Sequence, residues 1–163
     1  MNRQAVVAGI IALAIASAIV GGILYSTRRN KVEVKGEILK VRSHQIEADK
    51  TIVVVDFRVT NPSTQHFTIR EVEVFLDGKD GKSLLGGVFA EIDAQRMFDY
   101  YKVLGEKYNV TLMRRERLNS EQTVDRMIAV RFDTSDAGVQ DRKNIRLVIH
   151  DMHGPKSEII ELR

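Results

Sequence analysis

The sequence predicts a mainly β protein: an antiparallel β-sandwich of about eight strands with one short helix, preceded by one transmembrane helix. Three observations lead there. An apolar run near the amino terminus carries no charge, short stretches of two-residue apolar alternation recur from residue 32 onward, and turn-forming residues separate those stretches at short intervals.

The apolar run is the strongest of the three. From Gln4 to Thr27 there is no Asp, Glu, Lys, Arg or His, and Ala5 to Tyr25 is AVVAGIIALAIASAIVGGILY, 21 residues. At about 1.5 Å per helical residue this length matches the roughly 30 Å core of a bilayer. A cleavable signal peptide is the competing reading, because Ala14-Ile15-Ala16 and Ala16-Ser17-Ala18 both have the small-x-small form of a cleavage site. The run nevertheless continues through Ile19, Val20, Ile23, Leu24 and Tyr25, past the apolar core of about 7 to 15 residues that a signal needs. An uncleaved anchor over residues 1–31 with its basic hinge, followed by a sandwich domain over 32–163, is therefore expected.

Charge is distributed accordingly. Arg3, Arg28, Arg29 and Lys31 are the charged residues of the first 31, whereas the remainder holds 21 bases against 22 acids. The excess positive charge thus flanks the apolar run, and Arg28, Arg29 and Lys31 are expected among lipid head groups. A near-neutral domain does not call for a nucleic-acid partner. With no cysteine, disulfides, thiolate metal sites and cysteine nucleophiles are excluded. Membrane lipid and an unidentified protein are the expected partners. Ala8, Ala12 and Ala16, and likewise Ala14, Ala18 and Gly22, recur every four residues and offer a face for homo-oligomer formation through the helix.

Val32 to about Glu47 reads as a first extended stretch, bent at Gly36. In VVVDFRVTNPS, Val53, Val55, Phe57 and Val59 fall on one strand face, and Val54, Asp56, Arg58 and Thr60 on a wet one. Pro62 has no N–H to give a neighbouring strand and keeps Asn61 out of helical geometry, so the strand ends there. Phe67, Ile69, Val72, Val74 and Leu76 resume the alternation after a slip at Arg70-Glu71 that predicts a bulge. Two Asp-Gly pairs in Asp77 to Lys82 predict a hairpin turn, with Leu84 to Ala90 returning.

Ala94 to Gly105 changes period. Met97, Tyr100, Tyr101 and Leu104 share a helical face, Asp93 is placed to cap the start and Gly105 to end it. Val110 to Met113, Val124 to Phe132, Ile145 to Ile149 and Ile159 to Leu162 predict further strands. Arg117 to Gln122 and His153-Gly154-Pro155 predict loops, and Thr134 to Gly138 a helical turn opened by Thr134 or Ser135.

Chemical motifs are few. His150, Asp151 and His153 form the metal candidate, yet strand neighbours point to opposite faces and oppose convergence. Asp77 to Lys82 lacks calcium-loop spacing. Arg114-Arg115-Glu116-Arg117 reads as a solvated, aggregation-resistant edge, and Asn109-Val110-Thr111 as a glycosylation sequon. Glu71 and Glu73 share a strand face. No nucleophile elbow, phosphate loop or zinc helix motif is present. No enzyme, cofactor or metal is expected, with a His150/His153 metal or enzymatic domain as the remote alternative and a stress-protective structural protein as the nearer one.

VVVDFRVTNPSTQHFTIREVEVFLDG, through Asn61-Pro62, Phe67, Val72, Val74 and Leu76, resembles the bacterial and plant domains of the late-embryogenesis-abundant, water-stress-and-hypersensitive-response type. It is also similar to small immunoglobulin-like domains that follow an N-terminal anchor in bacterial envelope proteins. The likeness covers about 30 residues, and the helix after Asp93 departs from it. It implies an immunoglobulin/fibronectin-like sandwich without catalytic residues, in stress protection or envelope assembly. Flanking charge favours a cytoplasmic domain, while the anchor-plus-sandwich arrangement favours the outside by analogy. The two leave the side of the membrane open, with the balance leaning outward.

Overall fold

The computed structural model describes residues 12–22, 32–152 and 154–162. Two compact units divide the chain, Met1–Lys31 and Val32–Arg163. In the first, residues 12–22 are helical (α1), and Ser17 Oγ donates to the Leu13 carbonyl at 2.9 Å. Among the described residues no helix is long and apolar enough to cross a membrane. The expected span of 5–25 extends at both ends outside the described residues, as do Arg28, Arg29, Lys31 and His153.

The second unit is a two-layer antiparallel β structure. One sheet has the order β1 (Lys35–Glu47), β2 (Lys50–Thr60), β7 (Thr123–Phe132), β5 (Gly87–Val88). The other runs β4 (Ser83–Leu85), β3 (Phe67–Asp77), β8 (Asn144–Asp151), β9 (Lys156–Ile160), with β6 (Arg117–Leu118) also paired to β3. Val53, Val55, Phe57 and Val59 of β2 share one buried cluster with Phe67, Ile69 and Val74 of β3 and with Ile145, Leu147 and Ile149 of β8. Burial of each such side chain stabilises the fold by about 1.5–3 kcal/mol before entropy is charged against it. The two-residue period is what lets each sheet turn one face to this shared core.

The other face of β2 departs from expectation. Ile52 and Val54 are buried in a second cluster with Ala94, Met97, Phe98 and Leu104, and Asp56 is only 3% exposed. A strap made of α2 (Glu91–Tyr100) and a 3-10 turn (Lys102–Leu104) supplies that cover. Arg58 and Thr60, beyond the strap's reach, do face outward. α2 starts earlier than the period predicts and Asp93 does not cap it; Ala90 is the cap residue, without a side-chain bond. The α-helix stops at Tyr100, but the 3-10 turn carries the predicted face on: Leu104 is buried with Met97, and Tyr101 packs against that cluster. Tyr100 stands 79% exposed and Phe98 takes the inward place.

Local backbone chemistry explains the remaining differences. Gly36 does not bend β1; it pairs with Val59, and a Cβ there would lie 2.2 Å from the Arg58 carbonyl oxygen. The irregularities fall instead between Ile38 and Lys40 and between Gln45 and Glu47. In β3 the register shift against β8 lies between Ile69 and Glu71, where the slip in alternation occurs. The expected strand at Val110 to Met113 is reduced to a single parallel bridge between Thr111 and Met127. Arg117–Leu118, expected as loop, is β6 and covers part of the β3 edge. In α3 (Asp136–Gln140) Ser135 Oγ accepts from the Gly138 amide, a side-chain cap of the kind read from the sequence.

The expected return strand is split at Gly86, where the chain leaves β4 of one sheet for β5 of the other. A Cβ at Gly86 would sit 2.2 Å from Val130 Cγ2 and 2.8 Å from Phe132 Cε1. Gly86→Ala is therefore expected to cost about 1–3 kcal/mol by overpacking, read as a lowered denaturation midpoint at unchanged slope. A midpoint equal to the parent's would mean that the crossover has room to spare.

In the hairpin turn, Gly78 N donates to the Lys82 carbonyl at 2.8 Å and Gly81 adopts φ 81°. The Asp77 carboxylate accepts from Arg146 Nε at 2.9 Å and Nη2 at 3.1 Å. That charge-assisted pairing holds the Asp77 carboxyl below the ordinary aspartate value, with burial opposing and Ser83 assisting. A lowered folded value gives stability that is complete above the unfolded aspartate value and drains as pH falls through the folded one. Asp77→Asn should thus flatten the loss of thermal stability below about pH 4; parallel curves for parent and variant would contradict the assignment.

Candidate functional site

Of the sequence-predicted metal candidates, His150 and Asp151 are described, and they take separate partners. His150 Nε2 lies 3.0 Å from Glu73 Oε2 and its Nδ1 3.4 Å from Arg70 Nη2. Asp151 Oδ1 instead accepts from the Thr68 amide at 3.0 Å. Among the described residues no group of three or more His, Asp or Glu is placed to hold a metal ion. Glu73 is thereby committed to His150, while Glu71, two residues earlier, goes elsewhere.

Glu71 lines a cleft of 470 Å³ on the side of the sandwich where the chain crosses between sheets. Four separate segments build it: Glu71 and Val72 of β3; Val88, Phe89, Ala90 and Glu91; Leu112 to Arg114; and Ile128 of β7. Ile128 and Leu112, 1% and 8% exposed, form an apolar floor that belongs to the inter-sheet core. Val88 and Met113 stand partly exposed on the walls.

Main-chain bonds fix those walls. Phe89 N donates to the Ala129 carbonyl, Leu112 N to the Met127 carbonyl and Met127 N to the Val110 carbonyl, each at 2.9 Å. Arg115 N reaches the Ile69 carbonyl at 2.7 Å, and Ile69 N returns a bond to the Glu116 carbonyl at 2.9 Å. Arg115 takes φ 66°, a left-handed geometry uncommon for a residue with a side chain. The turn holding it positions Arg114 on the rim. Glu116, whose carboxylate takes Arg126 Nη2 at 2.6 Å and the Met113 amide at 3.2 Å, braces the turn from behind. The basic cluster read as a solvated edge is therefore divided: Arg114 lines the cleft, Arg117 lies in β6, and Glu116 is engaged inward.

The rim carries both signs of charge. Among the described residues no hydrogen bond or ion pair engages the carboxylate of Glu71 or Glu91. Arg114 uses Nε, at 3.3 Å, on the Arg70 carbonyl. The lining contains no Ser, Thr, Tyr, His or Lys, so it offers shape, apolar contact and charge but no hydroxyl or imidazole nucleophile. Sequence reading passed over this site because its segments are up to 57 positions apart, from Glu71 to Ile128. The one local signal was the slip at Arg70-Glu71.

A second polar cluster sits under the strap. Arg42 donates from Nη2 to Asp56 Oδ2 at 2.8 Å and from Nη1 to the carbonyls of Leu104 and Glu106 at 2.6 and 2.8 Å. Its guanidinium also lies 5.4 Å from the Phe98 ring centre and 5.1 Å from that of Tyr108. Asn109 Nδ2 donates to Asp56 Oδ1 at 2.9 Å. The sequon asparagine is thus occupied in holding the strap, and Thr111 is buried with Oγ1 against Met127 Sδ.

No family model matches the chain and no curated protein matches it. Among solved structures, the chain is similar to an uncharacterized beta-sandwich protein from Clostridium difficile 630, at 12% identity and a TM-score of 0.39, over 78% of this chain and 85% of that one.

Proposed function

We propose that this protein is a binding module of the cell envelope, tethered by the apolar segment 5–25 and presenting an immunoglobulin/fibronectin-like sandwich on the outer side of the membrane. The observation that carries the binding role is the 470 Å³ cleft, within the range of about 300–1,000 Å³ common to ligand pockets and lined mainly by apolar side chains. The carboxylates of Glu71 and Glu91, without a partner among the described residues, and the Arg114 guanidinium, held through Nε on the Arg70 carbonyl, supply orientation. Main-chain anchoring of every wall lowers the ordering cost of binding. The tether rests on sequence: 21 residues without charge, followed by Arg28, Arg29 and Lys31.

The alternative of a non-specific protective protein separates by saturation. Because the chain has no cysteine, Met113→Cys gives a unique thiol on the cleft wall for an environment-sensitive dye. In the full chain in vesicles, titration with solubilised envelope extract should produce a saturable emission shift that Val88→Trp, filling the cleft, removes. An unsaturable drift shared by both variants would favour the protective reading.

A further inference from the structure

The cleft's lining narrows what it can hold. Backbone amides of Ile69, Phe89, Leu112, Met113 and Arg115 are already spent on internal acceptors, so an added peptide strand would find few donors to pair with. Nucleic acid would bring phosphates toward Glu71 and Glu91. The floor of Ile128, Leu112 and Val72 offers only dispersion and release of water. The same lining carries two carboxylates, Glu71 from β3 and Glu91 from the start of α2, and one guanidinium from the 112–114 segment. An anionic amphiphile would satisfy Arg114 and face the two acids; a cationic one would do the reverse.

We infer that the cleft takes one acyl chain of a zwitterionic bilayer phospholipid, with the phosphate at Arg114 and the ammonium at Glu71 and Glu91. Arginine pairs with phosphate through two parallel N–H donors, and a carboxylate pair favours an ammonium. This rests on the tethered reading, which keeps the domain within reach of a bilayer.

The test uses the full chain in vesicles doped with a phosphocholine lipid bearing a diazirine on its acyl chain, and cross-linked peptides are read by mass spectrometry. Labels are expected in peptides containing Val72, Val88 to Glu91 and Leu112 to Met113, as well as in the 5–25 segment. Arg114→Gln, and separately Glu71→Gln with Glu91→Gln, should each lower cleft labelling about tenfold and leave labelling of 5–25 unchanged. All three residues are exposed, and the unfolding midpoint of each variant checks its fold. The same diazirine chain on phosphatidylglycerol or diacylglycerol should label the cleft weakly. Equal labelling with all three head groups overturns the head-group assignment. Labels confined to 5–25 overturn the inference and leave the tether standing, and labels in neither place overturn both.

Discussion

Asp56→Ala is expected to lower the stability of the sandwich by about 3–5 kcal/mol, because it leaves the Arg42 guanidinium buried without its counter-charge. Arg42 and Asp56 have side chains only 11% and 4% exposed, and Arg42 Nε has no hydrogen-bond partner among the described residues. The two carbonyls that Arg42 reaches at Leu104 and Glu106 offset part of the lost charge, which places the expectation toward the lower end. Damage should spread beyond one bond. Asn109 also loses its acceptor, so the strap from α2 to Asn109 loosens from the outer face of β2 and exposes Val54 and Met127. Thermal unfolding of the variant should begin earlier, with faster amide exchange along the strap. The paired replacement Arg42→Met with Asp56→Leu, which removes both charges, should cost less than Asp56→Ala alone. If the single and paired variants were equally unstable, packing rather than the orphaned charge would be responsible.

The second large effect is expected at Asn61. Its side chain is fully buried and donates from Nδ2 to the carbonyls of Gln65 at 2.7 Å, Asn119 at 2.9 Å and Leu118 at 3.2 Å. Oδ1 accepts from Ser63 N at 3.1 Å and Ser63 Oγ at 2.8 Å. One amide thus ties the β2–β3 connection to the chain between β6 and β7, where Asn61 N also meets the Gln122 carbonyl at 2.9 Å. Asn61→Ala strips the partners from several buried or half-buried groups at once, at about 1 kcal/mol or more each, and a total near 3 kcal/mol is expected. Asn61→Asp should be no rescue, since a carboxylate would confront three carbonyl oxygens. Chemical denaturation measures both, and a loss under about 1 kcal/mol for the alanine variant would show that water replaces the amide.

These two residues mark where sequence reading stopped. The alternation from Val53 to Val59 reveals a strand with an inward face, and the bulge at Arg70-Glu71 and the turn at Asp77 to Lys82 are equally legible, because each depends on neighbours in the chain. Asp56 read as wet because alternation identifies two faces without saying whether a distant segment covers the second. That cover comes from α2, some 40 positions away. Asn61 read as a turn former, a local role it does perform through Ser63, but its bonds to Leu118 and Asn119 lie 57 and 58 positions off. Gly36 and Gly86 were similarly opaque: one suggested a bend and the other nothing, whereas each is required by a close approach of chain from another strand. The cleft was the least legible feature, since no two of its walls are local to each other and its floor residues, Leu112 and Ile128, read as ordinary core.

The proposed tether requires that residues 5–25 embed in lipid and that the sandwich fold independently of them. Its most direct test is alkaline extraction of membranes from cells expressing the full chain or the chain lacking residues 5–25, followed by circular dichroism and thermal melting of whatever is soluble. The full chain should stay in the membrane pellet, and the shortened one should be soluble with a β-sheet spectrum and a cooperative melt. A full chain released by alkali, or a shortened chain that remains in the membrane or fails to melt cooperatively, would contradict it.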